Sequence, residues 1–176
     1  MPISVQNISN FTPNAQGILR GVAEPVNLRR ASKAGPEDLL VSIAKSETPQ
    51  GNALQRYNAT YGQILSCCTF HKNDFGRHLV FNENDIPSNF SSEGRTVLTK
   101  AAIIAETREK DLVSEDELFE VVAGYNGITN TSSKILDRLG IKREFLSSAL
   151  NDCLIRQAQK SLITNAGISP THAISV

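Results

Sequence analysis

The chain contains no tryptophan, only three cysteines and no long apolar run. Without about 18 consecutive apolar residues, no segment is predicted to cross a bilayer as a helix. The cysteines make a poor disulfide framework, because their number is odd and Cys67 and Cys68 are adjacent. An excess of charge is also missing, since 18 basic side chains balance 18 acidic ones over 176 residues. This balance disfavours a protein that binds nucleic acid through bulk positive charge, but it allows a local basic patch.

The amino-terminal sequence lacks the features of an export signal. Residues 1–19 carry no charged side chain, whereas a cleavable signal peptide opens with basic residues and continues with an apolar core. Together with cysteines that are expected to be reduced, this predicts a cytoplasmic protein, or one secreted into a host cell without a cleavable signal peptide. No cofactor-binding motif is evident, so no cofactor is predicted.

Composition divides the chain into three parts. Residues 1–34 are predicted to form a flexible amino-terminal arm, because proline and glycine interrupt them and no helical periodicity is evident. Residues 35–168 are predicted to form a single helical domain with a loop at 82–95, which is rich in Asn, Ser, Pro and Gly. A polar tail is expected over residues 169–176.

The spacing of apolar residues in the domain predicts an all-α bundle of about six helices. One continuous helix is expected from Asn52 to Cys68, and a capping box formed by Ser114 and Glu117 is expected to start another. The last helix is expected over residues 142–163. Its buried face is assigned to Phe145, Leu146, Ala149, Leu150, Cys153, Leu154, Ala158 and Leu162. No internal repeat is evident from the residues alone.

A cluster of potential metal ligands follows the helix predicted to end at Cys68. If that helix continues, Cys67, His71, Asp74 and His78 share one stripe at spacings of four, three and four residues. Thiolate, imidazole and carboxylate are all zinc ligands, and Cys67 with His71 is also a candidate nucleophile and base. One straight helix cannot surround an ion tetrahedrally, however, and Gly76 weakens its continuity. The favoured interpretation is therefore structural cysteines with both histidines at the surface.

Residues 132–150 show the pattern of two helices joined by a glycine turn. Gly140 permits the turn, Ile141 is placed to pack between the helices, and Leu146 seats the second helix. The segment resembles the helix-turn-helix of bacterial regulators of the Fis type, which implies that its second helix contacts DNA. An ordinary helix pair is the alternative, since Leu136 stands where such motifs favour Ala. The candidate nucleic-acid-binding residues are Arg29, Arg30, Lys33, Lys142 and Arg143.

Two other patterns are typical of an interaction protein. Seven acidic side chains lie within residues 106–120, whereas residues 134–160 carry an excess of basic ones, and opposed charges of this kind steer assembly. The uncharged residues 1–19 resemble the opening of bacterial type III secretion substrates. Residues 92–99 resemble a short piece of the Rho-GTPase exchange effectors of that class, although the Gly-Ala-Gly-Ala catalytic loop of those effectors is absent. Uncharged Asn/Ser arms are equally common in viral coat and accessory proteins.

No catalytic motif is evident, so the sequence favours a non-enzymatic helical interaction protein that acts through helix faces and charge patches. It would be a secreted effector or adaptor, or a self-assembling component such as a viral one. Its expected partner is another protein or a second copy of the chain, without membrane insertion. The alternative is a nucleic-acid-binding protein that uses residues 132–150 and the basic arm, and a Cys/His enzyme or zinc protein is the third class.

Overall fold

The computed structural model describes residues 2–71 and 78–165. In these residues the chain forms nine α-helices and three short 3-10 helices, and two isolated bridges are the only extended pairings. The α-helices are α1 (Pro13–Gly21), α2 (Ala23–Arg29), α3 (Pro36–Lys45), α4 (Pro49–Arg56), α5 (Tyr61–Cys67), α6 (Ser92–Thr107), α7 (Glu115–Ala123), α8 (Thr131–Arg138) and α9 (Arg143–Asn165). The 3-10 helices cover Ile8–Asn10, Ile86–Asn89 and Tyr125–Gly127. The all-α class is confirmed, with more and shorter helices than the six expected.

The amino-terminal residues belong to the core, which corrects the flexible arm predicted over residues 1–34. Phe11, Leu19 and Val26 are each at most 1% exposed. Pro13 lies in the first turn of α1, where a fixed φ and a missing N–H favour a helix. Composition alone did not distinguish these packed helices from a disordered arm.

The single helix predicted from Asn52 to Cys68 is divided into α4 and α5. Asn58 has a φ of 60°, in the left-handed region that Asn tolerates better than most residues. Thr60 then caps α5, and its backbone N–H donates a hydrogen bond to the Gln63 side chain at 3.2 Å. This turn directs α5 away from α4, so the apolar spacing that continues through it belongs to two helices.

The loop predicted at 82–95 ends at Ser91, because α6 begins at Ser92, and it is ordered around buried side chains. It contains a 3-10 helix, and Ile86 and Phe90 are fully buried. Asn89, which is 2% exposed, donates a side-chain hydrogen bond to the Asn82 carbonyl at 2.8 Å. The asparagine that suggested a loop thus satisfies backbone groups inside the protein.

The chain is built from two similar halves, a repeat that the sequence did not reveal. Adding 79 to a residue number maps α1 and α2 onto α6, and α3 onto α7. Pro25 has no N–H to donate to the Gly21 carbonyl, which accounts for the break between α1 and α2 where α6 is continuous. Arg30 and Glu109, which end these helices, both have left-handed backbones with φ of 58° and 55°. In the carboxyl part of each half, α4 and α5 correspond to α8 and α9.

The first residues of each half pair with the backbone of the other half. Phe11 bridges in parallel to Val113 of the second half, and the equivalent Phe90 bridges to Ala34 of the first. The hydrogen bonds match, because Thr12 N–H donates to the Val113 carbonyl at 3.0 Å and the equivalent N–H of the second half donates to the Ala34 carbonyl at 2.9 Å. This reciprocal pairing is the arrangement that a twofold relation between the halves produces, and it joins them into one core.

A buried carboxylate occupies the same position in both halves. Asp38 and Glu117 are fully buried, and they accept the backbone N–H that starts α3 and α7 at 2.8 and 3.0 Å. Each is paired with the arginine nine residues before it, Arg29 or Arg108. The pairs differ in exposure, since the Arg29 side chain is 2% exposed and the Arg108 side chain 44%. The capping box predicted at Ser114 and Glu117 is therefore present, with a cation added.

Candidate functional site

The predicted zinc cluster depends on a helix that ends too early. α5 ends at Cys67 and the next residue has an extended backbone, so His71 does not follow Cys67 on a helical stripe. His71 and His78 are exposed, while Asp74 lies outside the described residues. In the described ranges, no group of three or more His, Cys, Asp or Glu is placed to hold a metal ion. The corrected local structure removes the geometric basis on which this cluster was proposed.

The buried Cys68 thiol beside that cluster is a poor nucleophile. Burial raises the pKa of Cys68 to about 12, although the nearby Arg29 guanidinium lowers it in part. The Cys68 thiol donates a hydrogen bond to the Ile64 carbonyl, with 3.3 Å between sulfur and oxygen. Because the thiolate is the nucleophilic form, Cys68 is a packing residue at neutral pH. Cys67, which is half-buried, is the more accessible of the two.

Arg29 lies inside the protein, which removes it from the predicted nucleic-acid-binding residues. Its guanidinium donates to both Asp38 carboxylate oxygens at 2.9 and 2.6 Å and to the Thr69 carbonyl at 2.9 Å. A phosphate group would have to displace these buried bonds. Arg30 and Lys33 are exposed beside it, so this end of α2 keeps two cationic side chains at the surface.

Lys142 and Arg143 lie together where α9 begins. Arg143 donates from Nε to the Ala123 carbonyl at 3.1 Å and contacts Asp137 at 3.5 Å. Lys142 is exposed and its Nζ lies 6.0 Å from the centre of the Phe145 ring. Arg143 therefore connects the start of α9 to the end of α7, while the Lys142 side chain is exposed to solvent.

The segment that resembles a helix-turn-helix is a corner between α8 and α9, and an equivalent corner lies between α4 and α5. Gly140 has a φ of 72° and Ile141 is 5% exposed, as the pattern predicted. The Ile141 N–H donates to the Leu136 carbonyl at 3.0 Å. In the first half, Ala59 makes the same bond to the Leu54 carbonyl at 3.0 Å. A corner repeated in both halves is accounted for by the packing of the fold, so it does not by itself indicate contact with DNA.

The surface of α9 carries the apolar side chains that the core does not cover. Ten large apolar residues are exposed in the described part of the chain, and four of them lie on α9, so exposure is concentrated there. They are Phe145 (51%), Leu154 (41%), Ile155 (57%) and Leu162 (68%). This corrects the buried face assigned to the last helix, of which Leu146, Ala149 and Cys153 are buried.

The carboxyl half of α9 is exposed, although one side of it still faces α4. Cys153 is its last buried residue, and every residue from Leu154 to Leu162 is exposed. At 1.5 Å per residue, the part beyond Cys153 extends α9 by about 18 Å. Ile155, Ala158 and Leu162 follow the three- and four-residue spacing of one helix face. We call these three residues together with Leu154 the α9 apolar stripe.

A groove runs beside this stripe, between α7 and the middle of α9. Phe119 and Tyr125 form its floor, with ring centres 6.2 Å apart, and Leu150 and Leu154 add apolar atoms from α9. The groove has a volume of about 340 Å³, and an adjoining cavity of about 380 Å³ shares Tyr125 and Ser147 with it. Burial raises the pKa of Tyr125, whose hydroxyl donates to the Arg143 carbonyl at 3.2 Å.

The rim of this groove is charged and already partly paired. Arg108 contacts Glu117 at 3.0 Å and also pairs with Glu120. The pKa of Glu117 is held at about 2, because hydrogen bonds from Lys110, Ser114 and Arg108 outweigh the burial that would raise it. The acidic segment predicted to oppose a basic one is therefore neutralised in part by its own cations.

No family model matches the chain, and no curated protein matches it. Among solved structures, it is similar to the crystal structure of the N-terminal domain of the caseinolytic protease associated chaperone ClpD from Arabidopsis thaliana. The two share 16% sequence identity with a TM-score of 0.59, over 86% of this chain and 98% of that one. This likeness shows the fold alone: the described helices form an all-helical domain of the same architecture.

Proposed function

We propose that this chain is a non-enzymatic docking domain that binds a protein partner along the α9 apolar stripe and the groove beside it. The observation that carries the proposal is the exposure of Leu154, Ile155 and Leu162 on the part of α9 that follows its last buried residue, Cys153. Clustered apolar exposure of this kind marks interaction sites. A partner that covers the stripe would bury these side chains.

The fold is consistent with this role. The similar structure is the N-terminal domain of a caseinolytic protease associated chaperone, and therefore one domain of a longer protein. An adaptor, a secreted effector and a self-assembling component all require a surface of this kind. The partner is therefore another protein, and a second copy of the chain is the alternative occupant.

Photo-crosslinking tests the proposal even though the partner is unidentified. A photoreactive amino acid is placed at Ala158, between Ile155 and Leu162, and the full chain is expressed in its native cells. A matched variant carries the same group at Leu28, which is 51% exposed but lies on α2. We expect one discrete adduct from position 158 that is absent from position 28. Identical adduct patterns at the two positions, or none at position 158, would contradict the proposal.

The mass of the adduct separates the two occupants. An adduct of twice the chain mass, together with a dimer or larger assembly in light scattering, identifies self-assembly. An adduct of another mass, with a monomeric purified chain, identifies a different protein that mass spectrometry can name. Both results support a docking function, and they assign it to an assembly component or to an adaptor or effector.

Nucleic-acid binding is the second candidate, and two exposed lysines favour it. Lys33 and Lys142 remain available, whereas Arg29 is buried and Arg143 bonds to backbone. A contact with phosphates must weaken steeply with salt, because each neutralised phosphate releases counterions. Filter binding of duplex DNA at about 50 and 200 mM salt tests this candidate. Wild-type binding at low salt that the Lys33→Gln/Lys142→Gln variant loses would support it, and absence of binding at low salt would remove it.

A further inference from the structure

A second cavity lies on the side of α9 opposite the groove. It has a volume of about 580 Å³ and is lined by α4 and by the part of α9 around Arg156 and Lys160. A helix turns about 100° per residue, so Arg156 points about 200° away from Leu154 of the groove. The two sites can therefore be occupied together. We call the space between α4 and α9 the α4–α9 socket.

Cations dominate the lining of the socket. Arg56, Arg156 and Lys160 face it against Glu47. Arg56 makes a long contact of 3.4 Å with Asp152, while the Arg156 and Lys160 side chains form no ion pair or hydrogen bond within the described residues. Their spacing of four residues places them side by side on α9, where like charges destabilise a helix. An anion in the socket would remove this repulsion.

The polar groups beside the cations suit a peptide. Asn52, Gln55 and Gln157 also line the socket, and the amides of Asn52 and Gln157 form no hydrogen bond within the described residues. A primary amide carries both a donor and an acceptor, and so does a peptide group. A nucleic-acid backbone has no N–H group that could donate to the side-chain oxygens of these amides, whereas a peptide backbone has one at each residue other than proline.

We propose that the α4–α9 socket binds an acidic segment of the partner protein, with carboxylates on Arg156 and Lys160 and backbone on the amides. This inference rests on the proposed docking function and adds the chemistry of the partner: an apolar element for the α9 stripe, followed or preceded by Asp or Glu. The short distance along one helix lets a single partner reach both sites.

A fluorescent hexaglutamate peptide is the probe, titrated by anisotropy against the full chain at about 50 mM salt, where screening is weak. The test variant is Arg156→Gln/Lys160→Gln. The chain offers a closely matched control, because Lys134 and Arg138 are also exposed cations four residues apart, on α8. We expect affinity to fall about tenfold in the test variant, as the loss of two exposed charge contacts implies, and to stay within about twofold in Lys134→Gln/Arg138→Gln. Unchanged far-UV circular dichroism melting confirms that both variants fold.

Two results would overturn the inference. Equal losses in the two double variants would show that only net charge matters. A single-stranded oligonucleotide of eight thymidines that binds more tightly than the peptide and loses affinity in the test variant would identify a phosphate site instead. The variant Ile155→Ser/Leu162→Ser separates this inference from the proposed function, because it should keep hexaglutamate binding while losing the crosslinked partner. If Arg156→Gln/Lys160→Gln does not weaken hexaglutamate binding while Ile155→Ser/Leu162→Ser still loses the crosslinked partner, the socket inference fails and the docking function remains supported.

Discussion

The two halves of the chain allow one buried ion pair to be compared with its own exposed counterpart. Replacing Arg29 with Met leaves the fully buried Asp38 without its two guanidinium donors, and only the Gly35 N–H at 2.8 Å remains. Replacing Arg108 with Met leaves Glu117 with Lys110 at 2.8 Å. The same substitution at equivalent positions therefore removes very different interactions.

The structure sets the size of each effect. Removing one partner of a buried pair costs about 3–5 kcal/mol, because the remaining charge cannot recover its hydration. Arg29 also bonds to the Thr69 carbonyl, which would lose its donor. Arg108 is 44% exposed and shares its carboxylate with another cation, so its loss should cost about 1 kcal/mol or less. At roughly 2–4 °C per kcal/mol for a chain of this size, the melting temperature should fall about 6–20 °C for Arg29→Met and under about 4 °C for Arg108→Met.

Urea unfolding followed by circular dichroism at 222 nm measures both changes, since the chain has no tryptophan for fluorescence. The free energy of unfolding is compared at equal m-values, so that a change in the unfolded state is not mistaken for lost stability. An Arg29→Met variant that loses no more than Arg108→Met would refute the reasoning, and with it the view that Arg29 has a structural rather than a nucleic-acid-binding role.

Three further predictions follow from the same geometry. The pKa of Glu117 is about 2 against an ordinary 4.5, so its carboxylate stabilises the fold above pH 4.5 and loses this contribution as the pH falls through 2. Between pH 4.5 and 2 the free energy of unfolding of wild type should therefore fall by up to about 3 kcal/mol more than that of Glu117→Gln. Equal pH dependence of the two proteins would contradict the assignment. With Ellman's reagent, one thiol of the native protein, Cys67, should react quickly and all three after unfolding, whereas fast reaction of Cys68 would conflict with its pKa of about 12. Ala at Gly124 would place its Cβ 2.6 Å from the Ile128 carbonyl oxygen, so Gly124→Ala should lower the free energy of unfolding by more than about 2 kcal/mol. Gly140 has the same left-handed backbone but open space around it, so Gly140→Ala should cost about 1 kcal/mol. Equal melting temperatures of the two variants would refute this.

Sequence patterns predicted the features that depend on neighbours along the chain. The helical class, the capping box of α7 and the glycine corner before α9 follow from local spacing and capping chemistry. The flexible arm predicted over residues 1–34 was wrong, because the uncharged residues 1–19 and the interrupting prolines and glycines are compatible with short packed helices as well as with disorder. The helix expected from Asn52 to Cys68 was wrong because Asn58 adopts a positive φ within a continuous apolar pattern.

The repeat shows why other features escaped prediction. Few equivalent positions are identical, with Phe11 and Phe90 or Arg29 and Arg108 as examples. A signal was nevertheless present: in both halves an arginine precedes by nine residues an acid that caps the next helix. The exposure of the α9 stripe could not be predicted, since apolar spacing identifies a helix face but does not show which residues of that face are covered. In the structure, Cys153 is the last buried residue of α9.

The most direct measurement of the docking claim is a titration of the protein recovered by the crosslink at position 158, or of the chain with itself if the adduct is a dimer. Burying Ile155 and Leu162 from their present 57% and 68% exposure is worth about 1–2 kcal/mol each. The Ile155→Ser/Leu162→Ser variant should therefore bind roughly 30- to 1,000-fold more weakly than wild type. Leu28→Ser/Ile103→Ser, with equally exposed apolar residues on other helices, should bind as wild type does. Equal affinity of both variants would contradict the account.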